Sequence, residues 1–343
     1  MLRGPFTRAR LLAVVALGVG AVLGALFVSL WVGEGSTSLF DALSGNEEAR
    51  TIVFSIRLPR AVLAGLVGAA LAASGCVLQA WTRNALADPF VLGVSGGSAL
   101  GATVVLALGS TLWAGTTLLS ATTVGACAGA LLATLLVLGL GRLGGARASD
   151  ATLLGGVIFN AFALAVVTFI KVLVAPDVLG EVLYWLAGSI GVEPWASLGV
   201  LAAIEVVCVA AMWRATPSLN ALAFGELDAR TLGADVDRTR HVVFWASSVA
   251  VAAAVALSGL VGFVGLLVPH LGRLWLGHDQ RRLLPASALF GAAFLMLADA
   301  GARALFSVFH AEPPVGVLTA LLGGPLFLLL LRRRGAAFAA EKP

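Results

Sequence analysis

Long stretches of this chain are apolar on every face, and short polar segments punctuate them. Residues 11–31, 61–82, 91–108, 117–140, 153–173, 196–213, 284–303 and 315–331 are such runs. A helix needs about 20 apolar residues to cross the hydrocarbon core of a bilayer. Strands of an outer-membrane barrel would instead alternate apolar and polar positions over about 10 residues, a pattern these runs lack. Val242 to Leu271 is too long for one span and too short for two full ones. Gly259, Gly262, Gly265 and Pro269 interrupt it, which predicts a full helix at 242–258 and a short or broken one at 260–275. The pattern therefore predicts an all-α polytopic membrane protein, one transmembrane domain over 1–343 with ten spans.

Composition agrees. The chain has 343 residues, of which 59% are hydrophobic and 12% charged, against about 25% charged in a soluble domain. Arg3, Arg8 and Arg10 precede the first run as they would in a signal peptide. Leu11 to Gly33, however, is 23 uncharged residues, longer than the 7–15 of a signal core, and reads as a retained span. Cytoplasmic loops collect Lys and Arg. With both basic ends inside and ten spans, 17 of the 22 Lys and Arg fall on the cytoplasmic side. The exceptions are Arg50, Arg57, Arg60, Lys171 and Arg303. The net charge of +4 comes mostly from these membrane-end clusters, so it sets topology and does not point to nucleic acid. Cys76, Cys127 and Cys208 lie inside apolar runs without metal-ligand spacing and read as packing. The two lysines follow no phosphate-loop pattern, and no nucleophile elbow or zinc motif occurs. Nothing supports an enzyme.

Polar residues inside or between the runs are the candidates for function. QAWTRNALADPFVLG at 79–93 places Arg83, Asn84, Asp88 and Pro89 between two uncharged runs. In the segment 214–240, Leu219, Leu222, Leu227 and Leu232 recur at helix-like intervals among charged residues. Gly225 and Gly233 act as breakers, which predicts two short amphipathic helices gripping a partner. Arg57 and Arg60 flank Leu58-Pro59 on the outer side, with Arg303 at the outer end of span nine. They read equally as snorkelling to headgroups and as salt-bridge partners for an extracellular protein. Glu205 and Asp299 sit at membrane depth, where ionisable groups are functional candidates. Asp299 is four residues from Arg303, the spacing of an intrahelical pair, whereas Glu205 has no mate in sequence. A secondary transporter coupled to ions through Glu205 or Asp299 is the alternative reading. Glycines recur at small-xxx-small spacing, as in Gly20–Gly24 and Gly125–Gly129. Leu66-Val67-Gly68 and Leu260-Val261-Gly262 form a faint inverted echo, each opening a helix.

Taken together, RLPR at 57–60, GAALAASGCVLQAWTRNALADPFVLGVSGGSALGA at 68–102, LAFGELDARTLG at 222–233, SGLVGFVGLLVPHLGR from 258 and PVGVLTALLGGPLFLLLLRRR at 314–334 resemble the permease family of ABC importers for iron–siderophore complexes, haem and cobalamin. The resemblance implies a type II ABC importer permease of ten helices with both termini cytoplasmic. It further implies a dimer, with a second copy or a paralogue, two ATPase subunits that bind ATP and Mg, an extracytoplasmic binding protein, and no cofactor in this chain. Arg57, Arg60 and Arg303 resemble residues that receive acids of the binding protein. Leu222, Gly225, Glu226, Ala229, Arg230, Leu232 and Gly233 resemble the segment that couples to the ATPase. Asn84 and Leu86 are similar to one cytoplasmic gate, and Ser149 and Asp150 align with the other. Ala85 stands where relatives often have Pro, and Asp150 where they have a small hydroxyl residue. An iron–siderophore complex is the first expectation for the ligand, then haem, then cobalamin.

Overall fold

The computed structural model of the chain describes residues 6–33, 39–109, 120–143, 148–306 and 310–340, with side chains described except at 141–151, 153 and 330–340. These residues are mainly helical and contain no strand. In order, the helices are α1 Arg8–Trp31, α2 Leu39–Leu43, α3 Glu47–Thr51, α4 Leu58–Trp81, α5 Val94–Leu108, α6 Ala121–Leu143 and α7 Ala148–Leu173. They continue as α8 Pro176–Ala187, α9 Trp195–Leu222, α10 Glu226–Thr231, α11 Val236–Ser258, α12 Val264–Leu276, α13 Gln280–Ala304 and α14 Val315–Ala340. Seven helices among the described residues are long and apolar enough to cross a membrane, and α5, α12 and the Val315–Leu329 part of α14 are shorter apolar stretches.

The break expected near Gly259 is present. α11 ends at Ser258, Gly259 takes φ +64°, and the 13-residue α12 follows from Val264. Elsewhere the elements differ from the sequence expectations. α3 runs through a π-turn at Ile52–Arg57 into α4, so one helical path extends over 35 residues. α8 lies outside every predicted run. α9 does not stop at residue 213 but continues to Leu222, so the predicted pair of short helices becomes the end of α9 plus α10 alone. The echo also fails as a helix start, because Leu66–Gly68 is inside α4 and Leu260–Gly262 lies in the connector before α12.

α4 is the centre of the bundle. Its most apolar window is 83% buried, against 17% for α1 and for α7, and it packs on α13, α11, α12 and α9. Small residues make this possible, since helices in lipid associate through close backbone packing. A Cβ on Gly68 would overlap the Gly291 carbonyl of α13, and one on Gly75 would overlap the Gly265 carbonyl of α12. Gly125 and Gly129 of α6 meet Gly101 and Gly97 of α5 in the same way, whereas Gly20 and Gly24 face open space.

Prolines lie inside four helices among the described residues, and each leaves one carbonyl without its usual donor four residues on, while lipid offers no water to replace it. In α9, α12 and α13 the vacancy is filled. Pro217 frees the Trp213 carbonyl, which accepts from Thr216 Oγ1 at 2.7 Å. Pro285 frees that of Arg281, which accepts from Trp213 Nε1 at 3.4 Å. Pro269 frees that of Gly265, which accepts from Gln79 Nε2 at 3.0 Å. Gly75 and Gln79 are four apart on one face of α4, so the same face supplies both the room and the donor for the broken turn of α12.

Candidate functional site

Polar side chains gather at the two ends of α4, about 36 Å apart at 1.5 Å per residue. At the Arg60 end, Asp299 of α13 is fully buried and takes two arginines. Arg60 donates from Nη2 to Oδ1 at 2.8 Å and from Nε to Oδ1 and Oδ2 at 3.1 and 3.2 Å. Arg303 Nε donates to Oδ2 at 3.2 Å, which is the pair its spacing predicted. A buried carboxylate persists only when its charge and lone pairs are compensated, and here they are.

The remaining donors of these arginines are also used. Arg303 donates from Nη2 to Ser29 Oγ at 2.7 Å and to the Ser29 carbonyl at 2.9 Å, and from Nη1 to the Val32 carbonyl at the end of α1. Arg57 Nη1 donates to the Leu30 carbonyl at 3.0 Å. Arg60 Nη1 reaches Glu312 Oε2 at 3.2 Å, and its Nη2 pairs with the same carboxylate. The three arginines thus turn inward instead of snorkelling outward, with Arg57 4% and Arg303 6% exposed. Glu312, in the loop before α14, was missed in the sequence. Its only signal there is an acid beside Pro313-Pro314 near the outer end of a span.

At the opposite end of α4, Trp81 gives way to a loop in which Arg83 adopts φ +51°, a region non-glycine residues rarely enter. Asn84 Oδ1 accepts from Leu86 N at 2.9 Å, an Asx-turn that presents Leu86, half exposed, at the tip. Asp88 caps the Pro89–Leu92 turn by accepting from Phe90 N at 2.8 Å, and burial lifts its carboxyl to about 6. Asn160 of α7 clamps this turn to α5, donating to the Phe90 carbonyl at 2.8 Å and accepting from Gly96 N at 3.0 Å. Ser149 and Asp150 belong to the backbone of α7, but their side chains lie outside the described residues.

The Arg83 end also carries a polar junction between four helices. Arg273 of α12 donates to Gln79 Oε1. Cys76 Sγ donates to Gln280 Oε1 at 3.2 Å. Asn220, near the end of α9, accepts from Gln280 N at 2.9 Å and donates to Asp279 Oδ1 at 2.8 Å. Two residues further on, the segment expected to couple to a partner begins.

That segment divides its leucines between two faces. Leu219 and Leu222 are buried, at 1% and 4% exposure, with Ala229 at 0%. Leu227 at 77%, Leu232 at 70% and Phe224 at 75% point away from the chain. Gly225 with φ +123° and Gly233 with φ +84° bracket α10. Glu226 pairs with Arg240 at 2.8 Å and Arg230 with Asp237 at 2.8 Å, so the charges of α10 tie it to the start of α11. Of the predicted contact residues, only Leu232 is both apolar and exposed. Phe224, absent from the prediction, joins it with Leu227.

Midway along α9, Glu205 is 4% exposed and its Oε1 has no hydrogen-bond partner. It borders a groove of about 490 Å³ between α1, α4, α9 and α13, whose other walls are apolar, among them Leu66, Val209 and Leu284.

Known proteins resemble this chain along most of its length. The hemin transport system permease of Yersinia pestis is 40% identical over 329 residues, covering 94% of each chain. The cobalamin import system permease of Halobacterium salinarum is 43% identical over 288 residues, 84% of this chain and 75% of that one. The structure also superimposes with a TM-score of 0.81 and 30% identity on an inward-facing metal-chelate type ABC transporter, covering 94% of this chain and 99% of that one. The model of the FecCD transport family matches residues 20–333. With nearly the whole chain matched, the protein belongs to the FecCD transport family and is a multi-pass permease of the cytoplasmic membrane, a transport subunit and not an enzyme.

Proposed function

We propose that this permease forms, with a second permease, the membrane pathway of an ATP-driven importer for a bulky metal chelate: an iron–siderophore complex, haem or cobalamin. The single observation that carries the proposal is the exposed apolar cluster Phe224, Leu227 and Leu232 around α10. Three such side chains held outward by two glycines and two ion pairs suit a hydrophobic cleft on a soluble subunit. That subunit is a partner ATPase, which binds ATP and Mg. Two ATPases closing on ATP move this segment, and ten spans per subunit rock between outward- and inward-open states.

Both termini are cytoplasmic in this arrangement, the Arg60 end faces outward and the Arg83 end inward. The cluster of Arg57, Arg60 and Arg303 against Asp299 and Glu312 carries a formal surplus of one positive charge. It receives acidic residues of an extracytoplasmic binding protein, and Glu312 must leave Arg60 when they arrive. Asn84 and Leu86, with Ser149 and Asp150, close the pathway behind the cargo. Ion coupling through Asp299 would require freeing a carboxylate held by two arginines. Coupling through Glu205 would require an aqueous route to a group that borders an apolar groove. The test is purification of the permease with its ATPase. Changing Leu227 to Asp is expected to release the ATPase, and retention of the ATPase by that variant would refute the proposed interface.

A further inference from the structure

Beside the polar junction at the Arg83 end lies a cavity of about 240 Å³ with unusual walls. Two arginines, Arg83 and Arg273, a histidine, His278, and three amides, Gln79, Asn220 and Gln280, line it together with small apolar groups. No carboxylate lines it. Asp279, between His278 and Gln280 in the chain, faces Asn220 Nδ2 at 2.8 Å and Arg281 Nε at 3.2 Å, so its charge is already answered. Arg273 is 8% exposed and braced by Gln79, so one positive charge is built into the wall. Arg83 is exposed at the surface and, among the described residues, its side chain makes no hydrogen bond or ion pair. Water's share of liquid volume is about 30 Å³, so the space exceeds what a tetrahedral oxyanion needs.

A wall that carries two guanidinium groups and no acid attracts anions, and planar guanidinium groups match phosphate oxygens. We infer that this cavity is a binding site for a phosphate-class oxyanion, held between Arg83 of the α4–α5 loop and Arg273 of α12. The anion links the loop that carries Asn84 and Leu86 to the α12–α13 turn and, through Asn220, to the end of α9. Its occupancy therefore favours the arrangement in which these three elements lie together. The same chemistry can come from free phosphate or from the headgroup of an anionic phospholipid.

The test is calorimetric titration of the full chain, in phosphatidylcholine nanodiscs, with sodium phosphate, against sodium chloride at equal ionic strength. Saturable binding of one phosphate per chain is expected, with chloride giving none. Arg83→Gln, at an exposed position, should weaken binding at least tenfold. Ala223→Glu, which sets a carboxylate on the cavity wall, should abolish it, while Ala223→Gln should leave it detectable. Nanodiscs containing phosphatidylglycerol separate the sources. Competition with phosphate in the wild type, lost in Arg83→Gln, identifies a headgroup as occupant, and undiminished phosphate binding identifies the free ion. Absence of saturable phosphate binding, or equal binding by the wild type, Arg83→Gln and Ala223→Glu, would overturn the assignment.

Discussion

Replacing Asp299 with Asn tests the outer cluster. The carboxylate is fully buried and holds Arg60 at 2.8 Å and Arg303 at 3.2 Å. Each unit-charge pair at such range is worth about 4 kcal/mol at an effective dielectric near 20. The net loss is smaller, because the wild-type pair also bears desolvation. Breaking a buried pair by removing one partner costs about 3–5 kcal/mol, since the other charge is left uncompensated. Asn keeps the shape and one acceptor oxygen, so the lower end, about 3 kcal/mol, is expected. Glu312→Gln is the internal control. Its side chain is 24% exposed against 0% for Asp299, so the pair is only partly buried, and its loss should cost about 1 kcal/mol, at the upper end of the range for surface pairs. The assay is unfolding of the purified chain in mixed micelles with increasing SDS, followed by tryptophan fluorescence. A loss below about 1 kcal/mol for Asp299→Asn, well short of the buried-pair range, or equal losses for the two variants, would refute the ordering of buried over exposed charge.

Three further outcomes follow from the same structure. Gly75→Ala forces a Cβ into the Gly265 carbonyl and should cost about 1–3 kcal/mol, while Gly20→Ala, with nothing near it, should be neutral in the same unfolding assay. Leu227→Asp should leave the unfolding midpoint unchanged while abolishing ATPase capture, because the side chain is 77% exposed. Asp88, lifted by burial to about 6, keeps in the folded state a proton that the unfolded chain, titrating near 3.9, releases. Its contribution is therefore full below pH 4 and is lost as pH rises to 6. Relative to Asp88→Asn, the wild type should lose at most about 1.4 kcal/mol per pH unit across that window and nothing above it. Parallel pH profiles for the two proteins would contradict this.

Much of the fold was legible because lipid leaves few options. Backbone groups in a bilayer must be satisfied within helices, so apolar runs announced the helices, and Gly259 marked a real break. α8 was not legible, since its 12 residues, PDVLGEVLYWLA, mix charge with apolar positions and match no span. The coupling segment was half legible. A leucine stripe shows that a helix is amphipathic, but only packing reveals that Leu222 faces inward and Leu227 outward. The arginines illustrate the same limit. Spacing found Asp299 and Arg303, which are four apart on one helix. Arg60 and Glu312, 252 positions apart, meet only because α13 and its loop fold back along α4. Gln79 and Gly265 likewise needed the structure, because 186 positions separate them.

The decisive measurement is uptake by the permease reconstituted in proteoliposomes with its ATPase and binding protein, screened against a ferric siderophore, haem and cobalamin. Uptake of one of these ligands should require ATP hydrolysis by the partner and should stop with Leu227→Asp, with no response to an imposed proton gradient. Uptake driven by the proton gradient in the absence of ATP would contradict the account and return Glu205 to the centre of the mechanism.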